Sequence, residues 1–118
     1  MEHEYRELEI WKRLMNLVEE IYRLTKSLPD EEKYGLISQM RRASVSIPSN
    51  ISEGKMRSSG KDFRVYLFRS IASCAELQTQ LEICERLGYC DKVKETKLRL
   101  EMNEIMHMIR SFIAKMNC

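Results

Sequence analysis

"QMRRASVSIPSNISEG", residues 39–54, opens as an amphipathic helix, sets Arg41 beside Arg42, and then places Pro48 where the helix should continue. With Ile37 just before it, the stretch carries Ile37, Met40, Ser44, Ile47, Ile51 and Gly54 at alternating spacings of three and four. That register passes Pro48 without a slip, so one helix is predicted across it. Pro48 offers no N–H to the Ser44 carbonyl and crowds it, a defect costing ~3 kcal/mol in a helix interior and relieved by bending. The expectation is a single helix kinked at Pro48.

Outward from this segment the pattern stays helical. Before it, Leu8, Trp11, Met15, Val18, Tyr22 and Thr25 form an apolar stripe that "SLPD" interrupts. Pro29 suits the first position of the next helix, and Asp30, Glu31 and Glu32 favour the positive end of its dipole. After it, "RSSGKD" breaks the helix, and Ser59 with Asp62 three residues on makes a capping-box-like start to a third. Its stripe is Phe63, Leu67, Ser70, Cys74, Leu77, Leu81 and Cys84, with Gly88 placed for the left-handed position past its end. A fourth carries Leu98, Met102, Ile105, Ile109, Phe112 and Met116. Helices over about 5–27, 29–56, 60–87 and 91–116, joined by short connections, predict one all-α domain. The expected fold is an antiparallel up-down-up-down four-helix bundle, left-handed with crossing angles near ~20°.

Composition bounds the function. A chain of 118 residues with 43% hydrophobic and 32% charged residues supports a core without disulfides or metal. No apolar run approaches the ~20 residues needed to span a membrane, and the start "MEHEYRELEI" lacks an apolar signal core, so a cytoplasmic location without membrane association is expected. Cys74, Cys84, Cys90 and Cys118 are expected as reduced thiols, with terminal Cys118 open to oxidation. No C-x2-C pair accompanies His3 and His107, which argues against zinc. Glu104 and His107 have the E-x-x-H spacing of a di-iron bundle, but the motif occurs once where two are needed, so a surface or boundary histidine is expected. The eight methionines read as flexible core filling. No Gly-rich phosphate loop or nucleophile elbow is present, and neither enzymatic activity nor a cofactor is expected.

Charge is distributed unevenly. Residues 41–69 hold Arg41, Arg42, Lys55, Arg57, Lys61, Arg64 and Arg69 against Glu53 and Asp62, a net +5, while residues 1–40 sum to −3 and 70–118 to zero. A basic surface centred on Arg41, Lys55, Arg57, Lys61 and Arg64 fits a nucleic-acid partner held through phosphates. The competing reading is ordinary solvation of a helical bundle. Phe63 and Tyr66 fit the helical register as core or interface aromatics better than as base-stacking platforms.

The runs "WKRLMNLVEEIYRLTKSLPDEE", "YGLISQMRRASVSIPSNISEG" and "FRVYLFRSIASCAELQTQLEICERLGY" together resemble the family first noted as proteins encoded in intervening sequences of bacterial 23S rRNA genes. The resemblance covers roughly residues 8–90 and a compatible last helix. It implies a four-helix bundle, assembly as a ring-shaped homopentamer, and kinship with the accessory variability determinants of diversity-generating retroelements. Most members have no established biochemical activity. On the face of helix two away from its apolar stripe stand Arg42, Ser46, Asn50 and Glu53, and the small residues around Pro48 and Gly54 allow close helix approach. Arg42, Ser46, Pro48, Asn50, Glu53 and Gly54 are thus candidates as interface or structural-motif residues: either Arg42 and Glu53 pair with groups on an adjacent subunit or adjacent helix, or this face is an exposed polar one with weak ion pairs. Two functions follow: binding of RNA or DNA by a homo-oligomer, or a protein scaffold, for example for a reverse transcriptase, without direct nucleic-acid contact.

Overall fold

A computed structural model of the chain describes residues 8–57 and 59–116. Four helices, α1 (Glu9–Lys26), α2 (Leu36–Lys55), α3 (Gly60–Arg86) and α4 (Lys92–Met116), make an all-α bundle of 46 × 23 × 20 Å. The 27 residues of α3, ~40 Å at 1.5 Å per residue, nearly span the long dimension. Helices α1 and α3 each pack on both α2 and α4, and the α2–α3 contact is the most extensive. Residue order runs in opposite senses across the contacts: Ser46 meets Ser73 while Glu53 meets Tyr66, and Arg13 meets Glu101 while Glu20 meets Lys94.

The stripes expected for the second, third and fourth helices point inward. Met40, Ile47 and Ile51 of α2, Leu67, Cys74, Leu77, Leu81 and Cys84 of α3, and Met102, Ile105 and Ile109 of α4 are fully or almost fully buried. Each large aliphatic side chain so removed from water contributes roughly 1.5–3 kcal/mol. The first helix differs from expectation. Its core stripe is Ile10, Leu14, Leu17, Ile21 and Leu24; of the expected stripe, Thr25 is buried too and Leu8 and Trp11 pack partly buried against the core, whereas Met15 and Tyr22 are exposed and Val18 is half-buried. Two apolar stripes lie side by side on α1, and spacing alone fixes a period without choosing between adjacent phases. Trp11, Met15 and Val18 instead border a groove of about 230 Å³ against Val45, Pro48, Ser49 and Ser52 of α2.

The second helix also starts later than predicted. Asp30–Glu32 form a single 3₁₀ turn after Pro29, and α2 begins only at Leu36. Gly35, at φ −111° and ψ −114°, separates this turn from α2, and the Glu32 carboxylate accepts the Leu36 N–H at 3.1 Å, taking up one of the N–H groups that the start of α2 leaves without an intrahelical partner. Residues 5–7 of the first predicted helix lie outside the described residues.

Helix α2 continues through Pro48. Carbonyls around it receive extra donors. The Ser44 hydroxyl donates to the Arg41 carbonyl, the Asn50 amide to the Ser46 carbonyl and hydroxyl, and Ser70 of α3 donates to the Ile47 carbonyl at 2.8 Å. This last bond is buried and fastens α3 to the backbone of α2 beside the proline, where a satisfied hydrogen bond contributes about 1 kcal/mol.

Helix ends follow local chemistry. The Ser59 hydroxyl accepts the Asp62 N–H at 3.1 Å to start α3. At its other end Tyr89 N–H bonds to the Cys84 carbonyl and Gly88 N–H to the Glu85 carbonyl, a Schellman pair with Gly88 at φ +83°. Gly88→Ala is expected to cost about 1–2 kcal/mol, because an L side chain is strained in that region, and to lower the midpoint of a thermal circular-dichroism melt by about 4 °C or more. Among the described residues no helix is long and apolar enough to cross a membrane.

Candidate nucleic-acid interface

The end of α2 and the start of α3 meet in a cationic cluster. One turn after Glu53, Arg57 reaches back to its carboxylate at 3.1 Å. Tyr66 comes from α3 and donates its hydroxyl to the same Glu53 oxygen at 3.2 Å, while accepting from Arg57 at 2.5 Å. Two guanidiniums lie over the Tyr66 ring, that of Arg57 at 4.9 Å from its centre and that of Arg69 at 4.7 Å. Aromatic faces attract guanidinium charge, so the ring holds both cations beside it, and Arg57 is further fixed by its bonds to Glu53 and the Tyr66 hydroxyl. The placement is possible because Gly54 lets Tyr66 approach: a Cβ at Gly54 would lie 2.6 Å from the Tyr66 Cβ.

The remaining basic residues are not all gathered there. Lys55 covers Phe63, its ammonium 5.6 Å from the ring centre, and Phe63 packs edge-on against Phe112 at 5.6 Å, closing that end of the core. Lys61 is exposed on the first turn of α3. Arg64 is exposed too, but two residues before Tyr66 it points roughly 160° around the helix from it, toward the opposite flank. Arg41 lies 16 residues before Arg57, ~24 Å along the helix. It works between α1 and α2, stacking on Tyr22 at 4.5 Å and donating to the Thr25 hydroxyl at 2.9 Å.

The motif residues of α2 divide likewise. Arg42 is exposed, Ser46 bonds to Ser73 of α3 at 2.9 Å, Asn50 folds back onto Ser46, and Pro48 and Gly54 are buried. Glu53 pairs within its own chain, with Arg57 and Tyr66. Sequence reasoning left Tyr66 and Arg69 out of the site. Their i, i+3 spacing on one helix was an available signal, since it places a cation beside a ring.

Elsewhere, polar contacts are structural. Arg13 of α1 forks onto Glu101 at 2.7 and 3.2 Å and reaches Glu104 at 2.6 Å, and hydrogen bonding to Glu101 raises its pKa further. Glu20 takes a bond from Lys94, which holds its carboxyl below the ordinary range. Glu104, half of the single E-x-x-H, is thereby engaged in tying α1 to α4. Glu95 is buried on α4, with Arg99 at 3.3 Å and Lys92 at 3.6 Å. Among the described residues, no three or more histidines, cysteines or carboxylates are grouped to hold a metal ion.

A solved structure from Bacteroides thetaiotaomicron, described as a protein of unknown function from the S23 ribosomal protein family, superposes with a TM-score of 0.81 and is 25% identical. The alignment covers 88% of this chain and 97% of that one. No curated protein matches the sequence. The family model for the 23S rRNA-intervening sequence protein matches residues 6–111, nearly the whole bundle, and the chain belongs to that family.

Proposed function

We propose that this protein is a non-enzymatic accessory protein that assembles as a homo-oligomer, a pentamer, and binds nucleic acid through the basic junction of α2 and α3. The observation that carries the reading is the concentration of cations there. Residues 53–69 carry a net +3 on a chain of net +2, and within them Arg57 and Arg69 meet at Tyr66 with exposed Lys61 on the first turn of α3, while Lys55 lies over Phe63 and Arg64 faces the opposite flank. A ring would repeat that junction around its axis and add the contributions of several subunits to one polyanion. Arg41, engaged with Tyr22 and Thr25, stands outside this patch.

The test is binding of nuclease-treated protein to a labelled structured RNA and a matched DNA duplex across ~50–300 mM salt. If about three phosphates are neutralised per site, affinity falls roughly a hundredfold over that range. An R57A/K61A/R69A variant should flatten the slope, and R41A should leave it unchanged. Light scattering should return a mass of five times the 14.0 kDa chain. No binding at the lowest salt would overturn the nucleic-acid reading.

A second reading, a protein scaffold such as an adaptor for a reverse transcriptase, is favoured by the apolar residues that α3 leaves in solvent, Val65, Phe68, Ile83 and, just past its end, Leu87. They form two small apolar pairs at opposite ends of α3, Val65 with Phe68 and Ile83 with Leu87, which a protein partner would cover. It predicts stable oligomers indifferent to nucleic acid.

A further inference from the structure

We infer that the Glu53 carboxylate occupies the position of a nucleic-acid phosphate in the Arg57–Tyr66–Arg69 cluster, which makes this cluster a phosphodiester site gated by its own chain. The inference rests on the nucleic-acid reading above. Two donors, the Arg57 guanidinium from the turn after α2 and the Tyr66 hydroxyl from α3, converge on a single oxygen, Glu53 Oε2, at 3.1 and 3.2 Å. Convergent donors around one anionic oxygen are what a phosphate oxygen requires, and a planar guanidinium suits it as well as a carboxylate. Arg69, its guanidinium 4.7 Å from the centre of the same ring, adds a second positive charge to the cluster. The Glu53 and Arg57 side chains are 56% and 44% exposed, so a strand can approach and displace the carboxylate without unfolding the junction. An exposed i, i+4 pair of this kind is weak and screened by salt, so a polyanion can outcompete it.

The ligand class follows from what the ring is already doing. The Tyr66 face is engaged by cations and its hydroxyl by Glu53, so the site contacts the backbone and stacks no base. It should therefore accept duplex DNA and structured RNA with little regard to sequence.

The test compares wild type, Glu53→Gln, Asp62→Asn and Arg69→Ala for binding to a labelled duplex DNA of two unrelated sequences at ~100 mM salt, with folding checked by circular dichroism. Asp62 lies on the same basic segment, in the first turn of α3, where its backbone N–H is held by the Ser59 hydroxyl, so its change removes the same formal charge at a different place. Glu53→Gln should tighten binding about fivefold, the effect of removing one charge at ~4 Å in water, and Asp62→Asn by less than twofold. Arg69→Ala should weaken binding severalfold, and the two sequences should differ by less than twofold. Wild-type binding with equal effects of Glu53→Gln and Asp62→Asn, or a strong sequence preference, overturns the gated site and leaves the proposed function standing. Absence of binding by wild type and Glu53→Gln alike overturns both.

Discussion

Gly54→Ala is expected to destabilise the protein by about 1–3 kcal/mol, against the ordinary gain from placing alanine in a helix interior. On an exposed helix the exchange would stabilise by roughly 0.5–1 kcal/mol, because glycine loses more backbone entropy on folding. Here the new methyl would stand 2.6 Å from the Tyr66 Cβ and 3.0 Å from Phe63 Cδ1. The first of these atoms is fixed to the α3 backbone and cannot swing away, so α2 and α3 must separate locally. Separation also strains the adjacent Ser70–Ile47 and Ser46–Ser73 bonds, which lie on the same seam. Denaturant unfolding measures the loss directly. A second consequence distinguishes this site from a generic core position: displacement of Tyr66 disturbs the seat of Arg57 and Arg69, so nucleic-acid affinity should fall in the folded variant as well. Unchanged or increased stability would show that the seam is looser than the distances imply.

The seam illustrates what can be read from sequence. Small residues every few positions on α2 and α3 announce close approach, and the apolar stripes of α2, α3 and α4 show in their spacing the phase that packs inward. Helix α1 does not: Ile10, Leu14, Leu17, Ile21 and Leu24 run beside Trp11, Met15, Val18 and Tyr22, and only packing selects the first set. The start of α2 was misplaced for a related reason. Pro29 and three acidic residues satisfy the rules for a helix start, yet they build one 3₁₀ turn, and Glu32 uses its carboxylate to start the real helix at Leu36. Buried Glu95 was invisible because its partners Lys92 and Arg99 give it the look of a solvated i, i+4 ladder. In the candidate site, Arg57 and Glu53 are legible from local spacing. Tyr66 and Arg69 join them only through the tertiary meeting of two helices across a turn, which no periodicity encodes.

The three buried thiols are expected to be unreactive in the native protein, and to make it less stable in alkali. Cys74, Cys84 and Cys90 are free and buried. Burial pushes the Cys74 thiol from 9.0 to about 12. Burial, assisted by nearby Cys90 and Glu32, moves Cys84 from 9.0 to about 11, and burial raises Cys90 as well. Since the thiolate is the nucleophile, these values leave roughly a thousandfold less of it at Cys74 and a hundredfold less at Cys84 at a given pH, before steric exclusion is counted. In a Cys118→Ser background, which removes the thiol outside the described residues, a disulfide reagent at pH 8 should label the three only after denaturant is added. A fast native phase would contradict the burial. The same shifts fix a pH trend. A group whose folded pKa is raised contributes stability that is complete below the unfolded value near 9 and is lost as pH climbs through the folded one. Between about pH 9 and 11 the unfolded thiols ionise while the folded ones resist, which costs up to about 1.4 kcal/mol per thiol per pH unit. Other groups titrate in that range, so the decisive quantity is a difference. The stability gap between the parent and Cys74→Ala should shrink from pH 8 to pH 10, because the variant lacks the ionising thiol while its cavity cost stays constant. A gap independent of pH would mean that Cys74 meets water, or a cation, in the folded state.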